Sequence, residues 1–353
     1  MIASALLVPF LRGSYSYEAA AAELAIKSAA TVQTYRQGKL VLKLVAQSSG
    51  IKGTETFSVS HNGRLILHKS LRSDYKDGDS MWLGFPHAGK RARSVHTFDG
   101  GLGDFISTNA KLASSPFVDF DGDGVADLIV AHNYGNAANI YDIYRLRARA
   151  KKLATISTTR SNADFMDIDQ DGRCEIIARD QTFFGWKTSN ADSPMPLVIL
   201  KMNHKRFGLA TALMRSQPPT QSRQQELLRA WSKACKLPLV ANNPPTEKEK
   251  SDQTTFILAP VVWGDILNLV YSGNSEMAFS LLDKFWSKSA NASNLENNSD
   301  CTEVRTSKEQ FEKMFLQQLS YSPFLDEIKQ LNRSDARIRS LTNTSRIPTP
   351  MIE

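Results

Sequence analysis

The sequence predicts an α+β fold, with a β-rich N-terminal part followed by a small C-terminal helical domain. Three observations point there. Between Lys39 and Met214 apolar residues recur in alternating runs, the period of half-buried strands. After Gln217-Pro218-Pro219-Thr220 the period becomes helical, with Leu227, Leu228, Trp231 and Ala234 on one face. Inside the β-rich part lie two short acidic loops, each set between apolar runs rich in β-branched and aromatic residues. At 353 residues the chain is long enough for two domains, and its 41% hydrophobic share is ordinary for a globular protein.

Residues 1–16 include the apolar run Met1–Leu11, which has the length of a signal-peptide core but no preceding Lys or Arg. A truncated export signal is expected, with an apolar first element of the mature fold as the other reading. Residues 17–38 are Ala-rich and read as a helix ending near Gly38. The β-rich domain is placed at 39–215. Leu40–Val45 and Glu55–Ser60 alternate, and Asn62-Gly63 turns the chain into Leu65-Ile66-Leu67 as a hairpin. Ile140–Thr155 alternates again, with Arg145, Arg147 and Arg149 sharing a face. That basic stripe reads as the solvated side of an edge strand, with a patch for an anionic polymer as the sharper alternative. Thr182–Trp186 and Leu197–Leu200 read as further strands, the second turning at Asn203–Arg206.

The helical domain is placed at 216–333. Pro260 suits a first-turn position, and Val261 to Tyr271 carry a buried face. Ser272-Gly273-Asn274 stops that helix and starts another, whose face is Met277, Ala278, Leu281, Leu282, Phe285 and Trp286. Ser287–Thr306 is polar and reads as mobile. Phe311–Leu319 gives a third helix and Phe324–Leu331 a short one. Residues 334–353 read as a disordered tail, being polar with late prolines.

The acidic loops carry the chemistry. The first is Asp119-Phe-Asp121-Gly-Asp123-Gly-Val125-Ala-Asp127 and the second Asp167-Ile-Asp169-Gln-Asp171-Gly-Arg173-Cys-Glu175. Both place Asp at positions 1, 3 and 5, Gly at 6 and a carboxylate at 9. A hard cation such as calcium takes about six to eight oxygens, and alternate carboxylates converge on it only if the backbone curls, which Gly124 and Gly172 permit. The expected calcium ligands are the side chains of Asp119, Asp121, Asp123 and Asp127 with the Val125 carbonyl, then Asp167, Asp169, Asp171 and Glu175 with the Arg173 carbonyl. These are not EF-hands: position 12 is Val130 or Ala178, where a bidentate Glu belongs, and strand-like runs flank each loop.

At Phe117–Val130 and in the looser second copy, the chain resembles the FG-GAP and VCBS family of calcium-loop β repeats, found in integrin-like propeller heads. The copies start 48 residues apart, from Asp119 to Asp167, about one blade. The resemblance implies partial propeller-like repeats, since two copies cannot close a ring of about four to eight blades.

Other chemistry is sparse. The six histidines show no zinc spacing, and there is no nucleophile elbow, phosphate loop or Cys-x-x-Cys. His132 and Asp164 are the side chains that a catalytic cleft near the loops would use. The net charge of +7 lacks the concentration of a nucleic-acid binder. No run approaches the roughly 18 apolar residues of a membrane span. Cys174 reads as a core residue, while Cys235 and Cys301 are candidates to pair. The expectation is an exported, periplasmic or secreted, calcium-binding β-repeat protein of structural or interaction type, with a protein or glycan partner. The alternative is a cell-envelope hydrolase acting on glycan or peptide, with calcium as its structural cofactor.

Overall fold

The computed structural model describes residues 30–49, 52–74, 79–84, 87–88, 111–112, 116–134, 139–158, 162–203, 206–234, 259–292 and 307–343. The expected export segment at 1–16, the glycine turn at 100–103, Cys235 and Cys301 lie outside the described residues.

Four strands open the fold: β1 (Ala30–Gln37), β2 (Leu40–Ser49), β3 (Lys52–His61) and β4 (Arg64–Asp74), paired as an antiparallel meander in chain order. β1 corrects the helix expected at 17–38 over residues 30–37, and residues 17–29 lie outside the described residues. Thr31, Val32, Thr34 and Tyr35 are β-branched or aromatic and suit a pleated surface. Gly38, at φ +55°, makes the tight turn into β2 where a helix cap was expected. The Asn62-Gly63 hairpin is present, both residues at positive φ (51° and 76°), as a primed turn demands.

β5 (Asp79–Gly84) is followed by a small pair, β6 (His87–Ala88) with β7 (Lys111–Leu112). β8 (Phe117–Val118) leads into the first acidic loop, and β9 (Asp127–Tyr134) leaves it. β10 (Asn139–Leu146) and β11 (Ala150–Thr158) complete a second sheet, ordered β11-β10-β9-β5, with β8 also paired to β9. The 140–155 stretch is therefore a hairpin, with Arg147 and Arg149 between its strands. A third meander, β12 (Asp164–Met166), β13 (Glu175–Arg179), β14 (Leu197–Asn203) and β15 (Arg206–Leu209), carries the second acidic loop between β12 and β13. Thr182–Trp186, expected as a strand, is a run of turns and bends in which Gly185 takes positive φ, as does Lys187 just after it.

Seven helices follow among the described residues: α1 (Thr211–Met214), α2 (Gln221–Ala234), α3 (Pro260–Tyr271), α4 (Ser275–Ala292), α5 (Lys308–Leu319), α6 (Leu325–Leu331) and α7 (Ala336–Arg339). The α3–α4 hairpin turns at Gly273 (φ +81°), as its sequence predicts. α4 continues through 287–292, part of the stretch expected to be mobile. α7 corrects the disordered tail over residues 334–343. Asp335 caps it, accepting the Arg337 N–H at 3.0 Å, and Ile338 is fully buried. The fold is thus α+β with a β-rich N-terminal part.

Two hydrophobic clusters bind the layers. Leu40, Leu42, Phe57 and Val59 of the first sheet meet Leu128, Val130, Tyr144 and Leu146 of the second. The opposite face of the second sheet, with Ile129, Ala131, Tyr141 and Ile143, joins Phe165, Ile176 and Val198 of the third sheet and Trp263, Phe279 and Phe315 of the helices. This cluster crosses the Gln217–Thr220 boundary without a break, so the change of element type there is not a gap in the core. The buried carboxyl of Asp180 is one polar link across it. Its Oδ1 accepts the Thr182 N–H and hydroxyl, and its Oδ2 accepts the Tyr271 hydroxyl at 2.5 Å and the Ser322 hydroxyl at 2.8 Å.

Candidate metal centres

Each acidic loop is a turn between antiparallel strands, and the two are close copies. In the first, Asp119 accepts the N–H groups of Gly122 (2.8 Å) and Gly124 (2.9 Å), and Asp127 accepts that of Phe120 (3.1 Å). In the second, Asp167 accepts those of Asp171 (3.1 Å) and Gly172 (3.0 Å), and Glu175 accepts that of Ile168 (2.8 Å). Position 5 repeats as well: Asp123 takes the Val125 N–H and Asp171 that of Arg173. Positions 4 and 6 are left-handed in both, Gly122 and Gly124 in one, Gln170 and Gly172 in the other. Gln170 is one of few non-glycine residues at positive φ, and it holds that conformation where the first copy uses Gly.

The curl brings three carboxylates of each loop together. Asp119, Asp121 and Asp127 each offer an oxygen within 4.8 Å of the others, as do Asp167, Asp169 and Glu175. The position-9 carboxylates, Asp127 and Glu175, are fully buried. Asp123 and Asp171 stand outside these triplets and face basic side chains. Val125 and Arg173 sit at position 7, where the chain enters the following strand.

The sequence reading missed the counter-charges. Arg145, directly across from Asp127 in the β9–β10 register, hydrogen-bonds Asp121 and lies 3.6 Å from Asp123 and 3.7 Å from Asp127. Arg147 bonds Asp123 at 2.6 Å. The basic stripe expected to face solvent therefore turns two of its three arginines onto the first loop. In the second repeat Lys201 follows Leu200, the partner of Ile176, and so occupies the matching cross-strand place beside Glu175. Its ammonium lies 2.7 Å from Asp169, 2.8 Å from Asp171 and 2.8 Å from Glu175. Arg173 holds Asp171 through Nε (2.9 Å) and Nη2 (2.5 Å). The period-two pattern put Arg145 near Asp127 only once the hairpin register was known, and nothing local marked Lys201.

These contacts set the electrostatics. Burial pushes the Asp127 carboxyl up to about 7, with Asp121 and Asp119 adding to the rise and Arg145 opposing it. Burial also raises Glu175, against the pull of Lys201. Hydrogen bonds from Arg173 hold Asp171 well below the usual carboxylate range. Each loop has four carboxylates against two basic groups, leaving two negative charges unmatched. Asp127 Oδ1 in the first loop and Glu175 Oε1 in the second are buried with no hydrogen-bond partner among the described residues. An all-oxygen donor set, a deficit of two charges and an orphaned buried oxygen fit a hard divalent cation.

The loops also touch each other. The Cys174 N–H donates to the Asp119 carbonyl at 2.9 Å, and a Cβ on Gly122 would come 2.9 Å from the Arg173 side chain. The Cys174 thiol is buried, which pushes its pKa up, as expected for a core residue. His132 lies on the other face of β9, among the side chains that meet the first sheet. It is 3.8 Å from Asp142, which also takes hydrogen bonds from Tyr144 and Thr155. Neither His132 nor Asp164 joins the carboxylate triplets.

The two strand–loop–strand units, with their matching acidic loops, form a β repeat within these sheets. Residues 119–178 match the family model described as the FG-GAP-like repeat, so this segment carries that repeat from the first loop through most of β13. Comparison with curated proteins and with solved structures returned no match. Among the described residues, no helix is long and apolar enough to cross a membrane.

Proposed function

We propose that this chain is an exported, calcium-stabilised β-repeat protein of integrin-like type, whose role is structural or interactive. The observation that carries the reading is the orphaned Oδ1 of the fully buried Asp127, at the centre of a loop two positive charges short of neutrality. Asp119, Asp121 and Asp127 would hold calcium in the first loop, with Asp123 and the Val125 carbonyl adjoining. Asp167, Asp169 and Glu175 would hold it in the second, with Asp171 and the Arg173 carbonyl adjoining. Calcium supplies charge neutralisation, and because it binds only the folded loops it stabilises the sheets around them. Sites of this kind suit the millimolar calcium of periplasmic or extracellular space. Three successive antiparallel sheets packed through their faces support a partial propeller-like arrangement. A protein or glycan surface is the partner class such scaffolds serve.

The test is thermal unfolding in EDTA and in millimolar calcium. Calcium is expected to raise the midpoint by several degrees, and Asp121→Ala combined with Asp169→Ala to abolish the rise. Equal midpoints in both media would remove calcium from the account. The hydrolase alternative draws no specific support, since His132 is spent on Asp142 across the sheet from the loops.

A further inference from the structure

We infer that the second loop carries its own cation, the Lys201 ammonium, so that the native protein binds a single divalent ion, at the first loop. This rests on the calcium reading above at the first loop and replaces it at the second, where Lys201 takes the place of calcium. In both repeats a basic residue on the next strand stands beside the position-9 carboxylate, but the two side chains differ in kind. A Lys ammonium is a compact point charge, whereas an Arg guanidinium is a planar fork that engages oxygens along its edges.

The geometry follows that difference. Lys201 Nζ sits 2.7–2.8 Å from three carboxylates at once, Asp169, Asp171 and Glu175, the place an ion would take. Its side chain is 16% exposed. An ion entering this loop must first break all three charge-assisted contacts. Arg145 instead leans to one side of the first loop. It bonds Asp121, but its Nη1 and Nε stop 3.6 and 3.7 Å from Asp123 and Asp127. Neither Asp127 Oδ1 nor Glu175 Oε1 has a hydrogen-bond partner among the described residues, but Glu175 Oε1 has the Lys201 ammonium at 2.8 Å where Asp127 Oδ1 has Arg145 Nε only at 3.7 Å. An ion there displaces one firm contact and gains a buried oxygen that nothing else satisfies.

The experiment is calorimetric titration of EDTA-stripped full chain with calcium chloride, for wild type, Asp121→Asn, Lys201→Met and Lys201→Met/Asp121→Asn. The expected ion counts are one, none, two and one. The ion gained in Lys201→Met should bind at least tenfold more tightly than any second event in wild type. Two equivalent ions in wild type, or one in Lys201→Met, would overturn the inference. If Lys201→Met does not fold, the other pair still decides: an ion surviving Asp121→Asn contradicts a filled second loop. No ion in wild type or in Lys201→Met, at calcium up to millimolar, would instead sink the calcium reading and the inference with it.

Discussion

Asp127 and Glu175 are the residues around which each loop closes: one oxygen takes a backbone N–H at position 2 and the other faces a basic side chain, Arg145 or Lys201. The left-handed glycines are the other fixed points. Gly124 sits at φ +73° with open space where a Cβ would be, so Gly124→Ala meets backbone strain alone. A cost of about 1–2 kcal/mol is expected in urea unfolding, and a neutral result would mean the loop relaxes out of this turn. His132 gives a pH signature. Burial lowers its pKa, with Asp142 opposing. A histidine depressed in the fold contributes stability that is present above its unfolded value of about 6.5 and is lost as pH falls through its lower folded value. Stability measured by urea is therefore expected to drop from pH 7 to pH 5.5, and less so in His132→Gln. An equal drop in both would assign it elsewhere. At this scale the sequence was informative wherever spacing sets chemistry: the carboxylates at positions 1, 3 and 9 lie within reach of one another, while those at position 5, expected to join them, face Arg147 in one loop and Arg173 in the other. It was silent about Arg145 and Lys201, because their place depends on strand register and not on local spacing.

Elements were legible where period and punctuation agreed. Asn62-Gly63, the strands flanking both loops and the Ser272–Asn274 helix turn are all as the sequence predicts. The failures share one cause, a composition that outweighed a short local signal. The Ala-rich run before Gly38 concealed β1, whose Thr31, Val32, Thr34 and Tyr35 complete a sheet edge. The polar tail concealed α7, which is anchored by few residues. Ser275 donates to Asp335 at 2.8 Å, the Arg337 guanidinium lies 4.1 Å from the Phe279 ring centre, and Ile338 fills the core. Ile338→Ala should therefore cost about 2–5 kcal/mol. A loss under about 0.5 kcal/mol, typical of surface changes, would show that α7 contributes no packing.

Across the whole molecule the acidic loops sit side by side where two sheets meet, and the core behind them runs on into the helices. The Asp180 carboxyl, which joins β13, α3 and the segment before α6, spans that continuity. Tyr271→Phe removes one of its donors at a buried site and is expected to cost about 1–3 kcal/mol. The β and helical parts should still unfold in one transition, followed together by near- and far-UV circular dichroism. Two separated transitions would mean the shared core is not cooperative. Periodicity alone suggested a division at the prolines, because it reports which element a residue joins and not which layer that element packs against.

The central claim is that a divalent cation completes the first loop while Lys201 completes the second. A crystal structure of the protein grown with calcium tests it directly. The account predicts one ion about 2.3–2.6 Å from oxygens of Asp119, Asp121 and Asp127, with Lys201 still seated among Asp169, Asp171 and Glu175. An ion in the second loop with Lys201 turned away, or no ion bound by Asp127, would contradict it.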